Sequence, residues 1–198
     1  MQRQTRSMLF GGAIAIMTAT AAAQKAPTAN GPSGDSLELA FTYNATLSHQ
    51  EDGRNFWMQG GNVQIHGRFY GGLGVVADVA GAHTANMNSS GVGLDMVTAA
   101  FGPRYTWSPA HRRYAIFGQT LVGEALGFNS VFPAANGASG NANALALKVG
   151  GGVNVALGSP RIIWRAFEAN WLRSQLPNSN NNVQNNAIFA TGVVFKLP

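Results

Sequence analysis

The chain contains no cysteine. A disulfide framework, a thiolate metal site and a lipid-modified N-terminal cysteine are all excluded, so stability must come from backbone pairing and packing. Charge is scarce as well: Asp, Glu, Lys and Arg make up 11% of the 198 residues. The formal charge of +5 reflects 13 Lys and Arg against 8 Asp and Glu, but two of the cations are Arg3 and Arg6, at the very start. Beyond them only Arg112 and Arg113 stand side by side. Nucleic acid is bound through a basic patch or stripe, so it is not expected as a partner. After the N-terminal segment no run approaches ~18 apolar residues, which excludes a transmembrane helix. If the rest of the chain lies in a membrane, it must close into a β-barrel, the remaining way to satisfy every backbone polar group in hydrocarbon.

Reactive constellations are missing too. His49, His66, His83 and His111 show no short metal-ligand spacing, and no metal is expected. The run from Gly72 to Ala77 is a loose match to a dinucleotide fingerprint, but that motif needs a following helix to hold pyrophosphate. Here a β-branched, alternating segment follows, as it does around Gly150, Gly151 and Gly152. No Ser, His and carboxylate are placed together on a segment. The reading is therefore non-enzymatic, with no catalytic residue and no cofactor.

What is present begins with Arg3 and Arg6, an apolar run from Met8 to Ala19 diluted by Gly and Thr, and Ala21-Ala22-Ala23. This is the pattern of a cleaved signal peptide over residues 1–23, which implies export. Residues 24–34 (QKAPTANGPSG) read as a flexible periplasmic leader, and 35–198 as the folded domain. In that domain eight stretches alternate between apolar and polar-or-small residues. In the first, Leu37, Leu39, Phe41, Tyr43, Ala45 and Leu47 interleave with Glu38, Ala40, Thr42, Asn44 and Thr46. Successive side chains of a strand point to opposite faces, so each such segment has one apolar and one polar face. Strands are expected over 36–48, 57–69, 73–82, 94–107, 113–126, 144–157 and 162–175, with an eighth running to the C-terminus. Connections 1–2, 3–4, 5–6 and 7–8 are long and rich in Asn, Ser and Gly, the longest being 128–143; the others are short. That asymmetry belongs to transmembrane barrels, with brief periplasmic turns and long extracellular loops.

The expected fold is thus all-β: an eight-stranded antiparallel up-and-down transmembrane barrel, apolar face to lipid and polar face to the lumen. Eight strands enclose a space that side chains can fill. Glu38, Arg68, Asp78, Arg104, Lys148 and Glu168 fall on the polar face, three acids and three bases, and are predicted to pair as a lumen charge network. Tyr105, Trp107, Tyr114, Trp164 and Phe195 near periplasmic strand ends, with Trp57 and Trp171 near extracellular ones, are expected to form two aromatic girdles. Arg165 falls on the apolar face, where its head would snorkel to the interface. Pro103 cannot donate to the ladder, and a bulge is expected there. The inward face of the fifth strand stays open, because Gln119 lies on one side and Thr120 and Glu124 on the other.

With the strands placed, the chain resembles the OmpA/OmpX-type family of small bacterial outer-membrane β-barrels over roughly residues 36–197. The residues that carry the resemblance are GGNVQIHGRFYGGLGVVADV (60–79), AAFGPRYTW (99–107), ALKVGGGVNVAL (146–157) and the terminal IFATGVVFKL. It departs from the family at its end, where Phe195 is followed by Lys196, Leu197 and Pro198 instead of finishing on an aromatic. The resemblance implies the outer membrane of a Gram-negative cell, contact with outer-membrane lipid and lipopolysaccharide, and insertion by the barrel-assembly machinery. It implies a structural or surface-interaction role through the external loops. The alternatives are a narrow, porin-like channel for small solutes, a lipid-modifying outer-membrane enzyme, and a soluble lipocalin-type barrel; the last would need an apolar interior.

Overall fold

The computed structural model describes residues 36–49, 55–87, 91–110, 112–134, 137–159, 161–178 and 181–197. The expected signal peptide, the leader and His111 lie outside the described residues. Eight strands are the regular elements: β1 (Ser36–His49), β2 (Asn55–Tyr70), β3 (Leu73–Thr84), β4 (Leu94–Trp107), β5 (Tyr114–Ala134), β6 (Gly137–Ala156), β7 (Ile162–Ser174) and β8 (Gln184–Leu197). Each pairs antiparallel with the next, and β8 pairs with β1, so the sheet closes into an up-and-down barrel, while the part of the β5–β6 hairpin that projects beyond Phe128 keeps edges. The shortest strand has 12 residues, above the ~9–11 that a tilted membrane-crossing strand needs.

The faces follow the alternation. On β1 the side chains of Glu38, Thr42, Asn44, Thr46 and Ser48 are buried, whereas Phe41 and Tyr43 are about half exposed. The same order holds around the barrel: Val63, Ile65, Val75, Val79, Phe101, Leu145, Phe167 and Phe189 stand on the outer wall. This apolar-out, polar-in arrangement is that of a transmembrane barrel and the reverse of a soluble one. Tyr105, Trp107, Tyr114, Trp164, Phe195, Trp57 and Trp171 are all outward, with exposures from 38% to 57%.

Three expectations need correction, and one open point is settled. Residues 128–143 are not a long loop. The β5–β6 hairpin continues through them, with one irregularity between Phe128 and Phe132 and pairing restored at Phe132↔Ser139 and Ala134↔Gly137. Their Asn, Ala, Gly and Ser composition reads as loop, but two such segments facing each other across a turn still complete one another's backbone hydrogen bonds. The bulge expected at Pro103 is absent. Val75 pairs with Pro103, and the register between β4 and β5 is the same on both sides of Gly102 and Pro103, so the missing donor costs ladder bonds and no register step.

The point left open was the facing of β5, where Gln119 is buried and Thr120 and Glu124 are exposed. A carboxylate therefore stands on the outer wall, with Asn143 Nδ2 donating to Glu124 Oε1 at 2.7 Å. The third correction concerns Arg165, which is fully buried in the lumen. The β7–β8 ladder shifts between Arg165 and Glu168, and Ala166 has no partner in either neighbouring ladder. One extra residue in a strand resets the alternation. Trp164 and Phe167 consequently face out while Arg165 and Glu168 face in. Thr191 Oγ1 donates to the Arg165 carbonyl at 2.9 Å and ties the bulge to β8.

Candidate functional site

The interior is filled on two levels. Toward the end that carries the β1–β2, β3–β4, β5–β6 and β7–β8 connections, inward positions are apolar: Phe56 and Met58 of β2, Leu94 and Met96 of β4, Leu172 of β7 and Ile188 of β8. Phe132 joins them from the projecting hairpin and Leu176 from the chain after β7, and both are buried. Asn129 has a positive φ of 55° in the irregular stretch that turns Phe132 inward. The sequence reading of a wholly polar lumen missed this apolar plug. Its signal was available in Phe56-Trp57-Met58, where both faces of one strand are apolar.

Below the plug the lumen is polar and centred on an uncharged residue. Gln64 Oε1 accepts hydrogen bonds from Arg104 Nη2 and Arg165 Nη1. Its Nε2 donates to Asp78 Oδ2 at 2.8 Å and to Glu168 Oε1 at 3.0 Å. Asp78 also receives Lys148 Nζ and, at 2.9 Å, Asn62 Nδ2. Glu168 receives Arg165 Nη1 at 2.8 Å, Asn170 Nδ2 at 2.9 Å and Gln119 Nε2 at 3.0 Å. Arg104 Nε donates to Gln119 Oε1 at 3.0 Å. The guanidinium carbons of Arg104 and Arg165 lie 4.3 and 4.7 Å from the centre of the Phe117 ring, so one aromatic face supports both cations. Gly152 leaves room for that ring: a Cβ there would stand 3.0 Å from Phe117 Cζ.

Asp78, Arg104, Lys148 and Glu168 are therefore brought into one connected network, with Arg165 as an additional cation. Glu38 and Arg68 lie apart from it, toward the end that carries the β2–β3 turn. Glu38 pairs in register with His66, whose Nδ1 is 3.1 Å from Glu38 Oε2, while Arg68 Nη2 is 3.8 Å from Oε1. Sequence reasoning followed formal charge and so passed over Gln64, Gln119, Asn62 and Asn170. These amides each offer donors and an acceptor, and Gln64 and Gln119 join Arg104 to Glu168 with no direct contact between the two ions. The count of inward charges also changes: Glu38, Asp78 and Glu168 face Arg68, Arg104, Lys148 and Arg165. Among the described residues no group of three or more His, Cys, Asp or Glu is placed to hold a metal ion.

No protein-family model matches this chain, and no curated protein matches it. Solved structures do. Neisserial surface protein A superimposes with a TM-score of 0.63 and 13% identity, covering 83% of this chain and 100% of that one. Ail, the attachment invasion locus protein of Yersinia pestis, gives a TM-score of 0.53 and 12% identity, again over 83% of this chain and 100% of its own. At such identities the likeness is one of fold: a small eight-stranded barrel.

Proposed function

We propose that the chain is an exported outer-membrane barrel of the OmpA/OmpX type, non-enzymatic and non-conducting, serving a structural or surface-interaction role through its external elements. The observation that carries this reading is the double closure of the lumen. Buried charges are tolerable only when paired and hydrogen-bonded, and a network in which Asp78, Arg104, Lys148, Arg165 and Glu168 each have at least one such partner holds its side chains in place. The apolar plug above it removes the continuous wet path that a solute would need. What remains for interaction is outside: the β5–β6 hairpin, with Val131 66% exposed at its projecting end, and the Asn-rich segment around Asn178, Asn181 and Asn182. The hairpin edges are blunted. Pro133 lacks an N–H, and Ser139 Oγ both donates to Asn141 O at 2.8 Å and accepts from Asn141 N at 3.3 Å. Lipid and lipopolysaccharide around the wall, and the barrel-assembly machinery during insertion, are the partners this reading requires.

Two measurements test it. The protein should fractionate with the outer membrane and migrate faster on a gel unheated than boiled. In planar bilayers it should show no steady conductance. A large, stable conductance would hand the lead to the second reading, a narrow conduit. One observation favours that reading: Arg165 Nη2, Arg68 Nε and His66 Nε2 are buried without a hydrogen-bond partner in the protein.

A further inference from the structure

The polar level of the lumen holds more positive charge than negative. Asp78, Arg104, Lys148, Arg165 and Glu168 are each at most 1% exposed. Two of the three cations have a carboxylate: Lys148 Nζ reaches Asp78 Oδ1, and Arg165 Nη1 reaches Glu168 Oε2 at 2.8 Å. The third does not. Arg104 donates to Gln64 and Gln119, which are neutral, and among the described residues no carboxylate pairs with it. The remaining inward carboxylate, Glu38, is engaged by His66 and Arg68. Arg104 also stands beside a like charge. Its Nη2 and Arg165 Nη1 donate to the same oxygen, Gln64 Oε1, and both guanidiniums rest against the Phe117 ring. Arginine does not shed its proton to relieve this, so one buried positive charge is left without a counter-charge. An orphan donor belongs to the same pair: Arg165 Nη2 is buried and has no hydrogen-bond partner in the protein.

We propose that the lumen holds one small monovalent anion at the Arg104–Arg165 pair, a halide such as chloride, hydrogen-bonded by Arg165 Nη2. Water would satisfy that N–H and leave the charge standing; a monovalent anion answers both. The charge count selects the valence, because a dianion would turn the excess of one cation into an excess of the opposite sign. Burial selects the size. Both guanidiniums are closed off from solvent, and a lumen of eight strands has room only for side chains and small species. The anion is then a fixed member of the network, and a bound ion of this kind is among the largest local charges in its surroundings. The inference goes beyond the closed lumen. It needs the barrel and the inward facing of these charges, and neither the outer membrane nor the absence of conductance.

The test refolds the full-length protein from urea into mild detergent, in chloride or in gluconate at equal ionic strength, gluconate being too bulky for the site. The urea midpoint, scored by unheated gel mobility, should rise saturably with chloride. At about ten times the dissociation constant, the unfolding equilibrium constant falls roughly tenfold. Crystals grown in bromide should give one anomalous peak beside Arg165 Nη2. Two variants remove the need for the anion in different ways. Arg104→Gln takes away the excess cation. Asn154→Asp supplies the missing carboxylate: Asn154 Oδ1 already accepts from Arg165 Nε at 3.1 Å, and Nη2 lies on the same edge of the guanidinium, ready for a bidentate pair. Neither variant should respond to chloride, and Asn154→Asp in gluconate should match the wild-type protein in chloride. A wild-type midpoint indifferent to chloride, a full chloride response in Asn154→Asp, or a bromide crystal with water alone at Arg165 would each overturn the proposal.

Discussion

Replacing Gln64 with leucine should destabilise the barrel more than removal of any single exposed charge, although no charge is lost. Gln64 is 1% exposed and joins two guanidiniums to two carboxylates through four hydrogen bonds. Leucine has similar bulk and fits the space, so the packing contribution is small. A hydrogen bond to a charged group contributes roughly 1.5–3 kcal/mol, but the four are not additive, because the ions retain other partners. Asp78 keeps Lys148 and Asn62, and Glu168 keeps Arg165, Asn170 and Gln119. Arg104 keeps Gln119 alone among its hydrogen-bond partners and is left the most exposed to loss. A net cost of about 2–3 kcal/mol follows, that of one to two hydrogen bonds to charged groups. Urea titration in lipid vesicles, scored by the fraction with unheated gel mobility, measures it. Val63→Ala, one residue away on the lipid face, serves as the control and should cost under about 1 kcal/mol. Equal midpoints for the two variants would refute the idea that the amide holds the network together.

Arg104→Ala should lower the same midpoint by a similar amount and, in planar bilayers, is expected to produce a leak only when combined with Phe132→Ala, since each closure alone still blocks the lumen. A steady current from Phe132→Ala by itself would show that the polar level conducts. Cysteines at Ser139 or Asn181 should react with an impermeant maleimide on intact cells, and one at Ser159 should not, because the β5–β6 and β7–β8 connections lie at the end opposite the β6–β7 turn. Labelling at Ser159 alone would invert the orientation.

The period of two in the sequence was enough to read the strand number, the antiparallel order and which face is wet, because one step of register flips every side chain and a wrong choice would bury the whole apolar set. It placed Asp78, Arg104, Lys148 and Glu168 on the inner face, where the structure has them. What it could not hold was any feature that breaks the period or ignores charge. The hub Gln64 is neutral, and nothing in a strand pattern distinguishes it from Asn62 or Thr42. The plug is apolar on the face that the rest of the strand makes polar. In the β5–β6 extension the small polar residues that suit turns are paired with one another and form strand.

Strand β7 shows the cost of an unbroken count most clearly. With strict alternation from Trp164, that ring and Glu168 share one face, so either an indole fills the lumen or a carboxylate faces lipid. Ala166 removes the conflict by standing outside both ladders. This makes a counterintuitive prediction. Deleting Ala166 should leave Trp164 and Phe167 outward and Arg165 and Glu168 inward, because a regular strand then has the same facing on both sides of the cut. The Thr191 bond to the Arg165 carbonyl should weaken, with a loss of about 1 kcal/mol, the value of one ordinary hydrogen bond. Deleting Ala169 instead, inside the regular stretch where it pairs with Gly151 and Phe189, reverses the facing of every residue on one side of the cut. Glu168 and Leu172 could not both stay inside. The unheated gel shift after refolding into vesicles separates the two: the Ala166 deletion should fold, and the Ala169 deletion should not. If both fold, or neither does, the extra residue is not what sets the two faces of this strand.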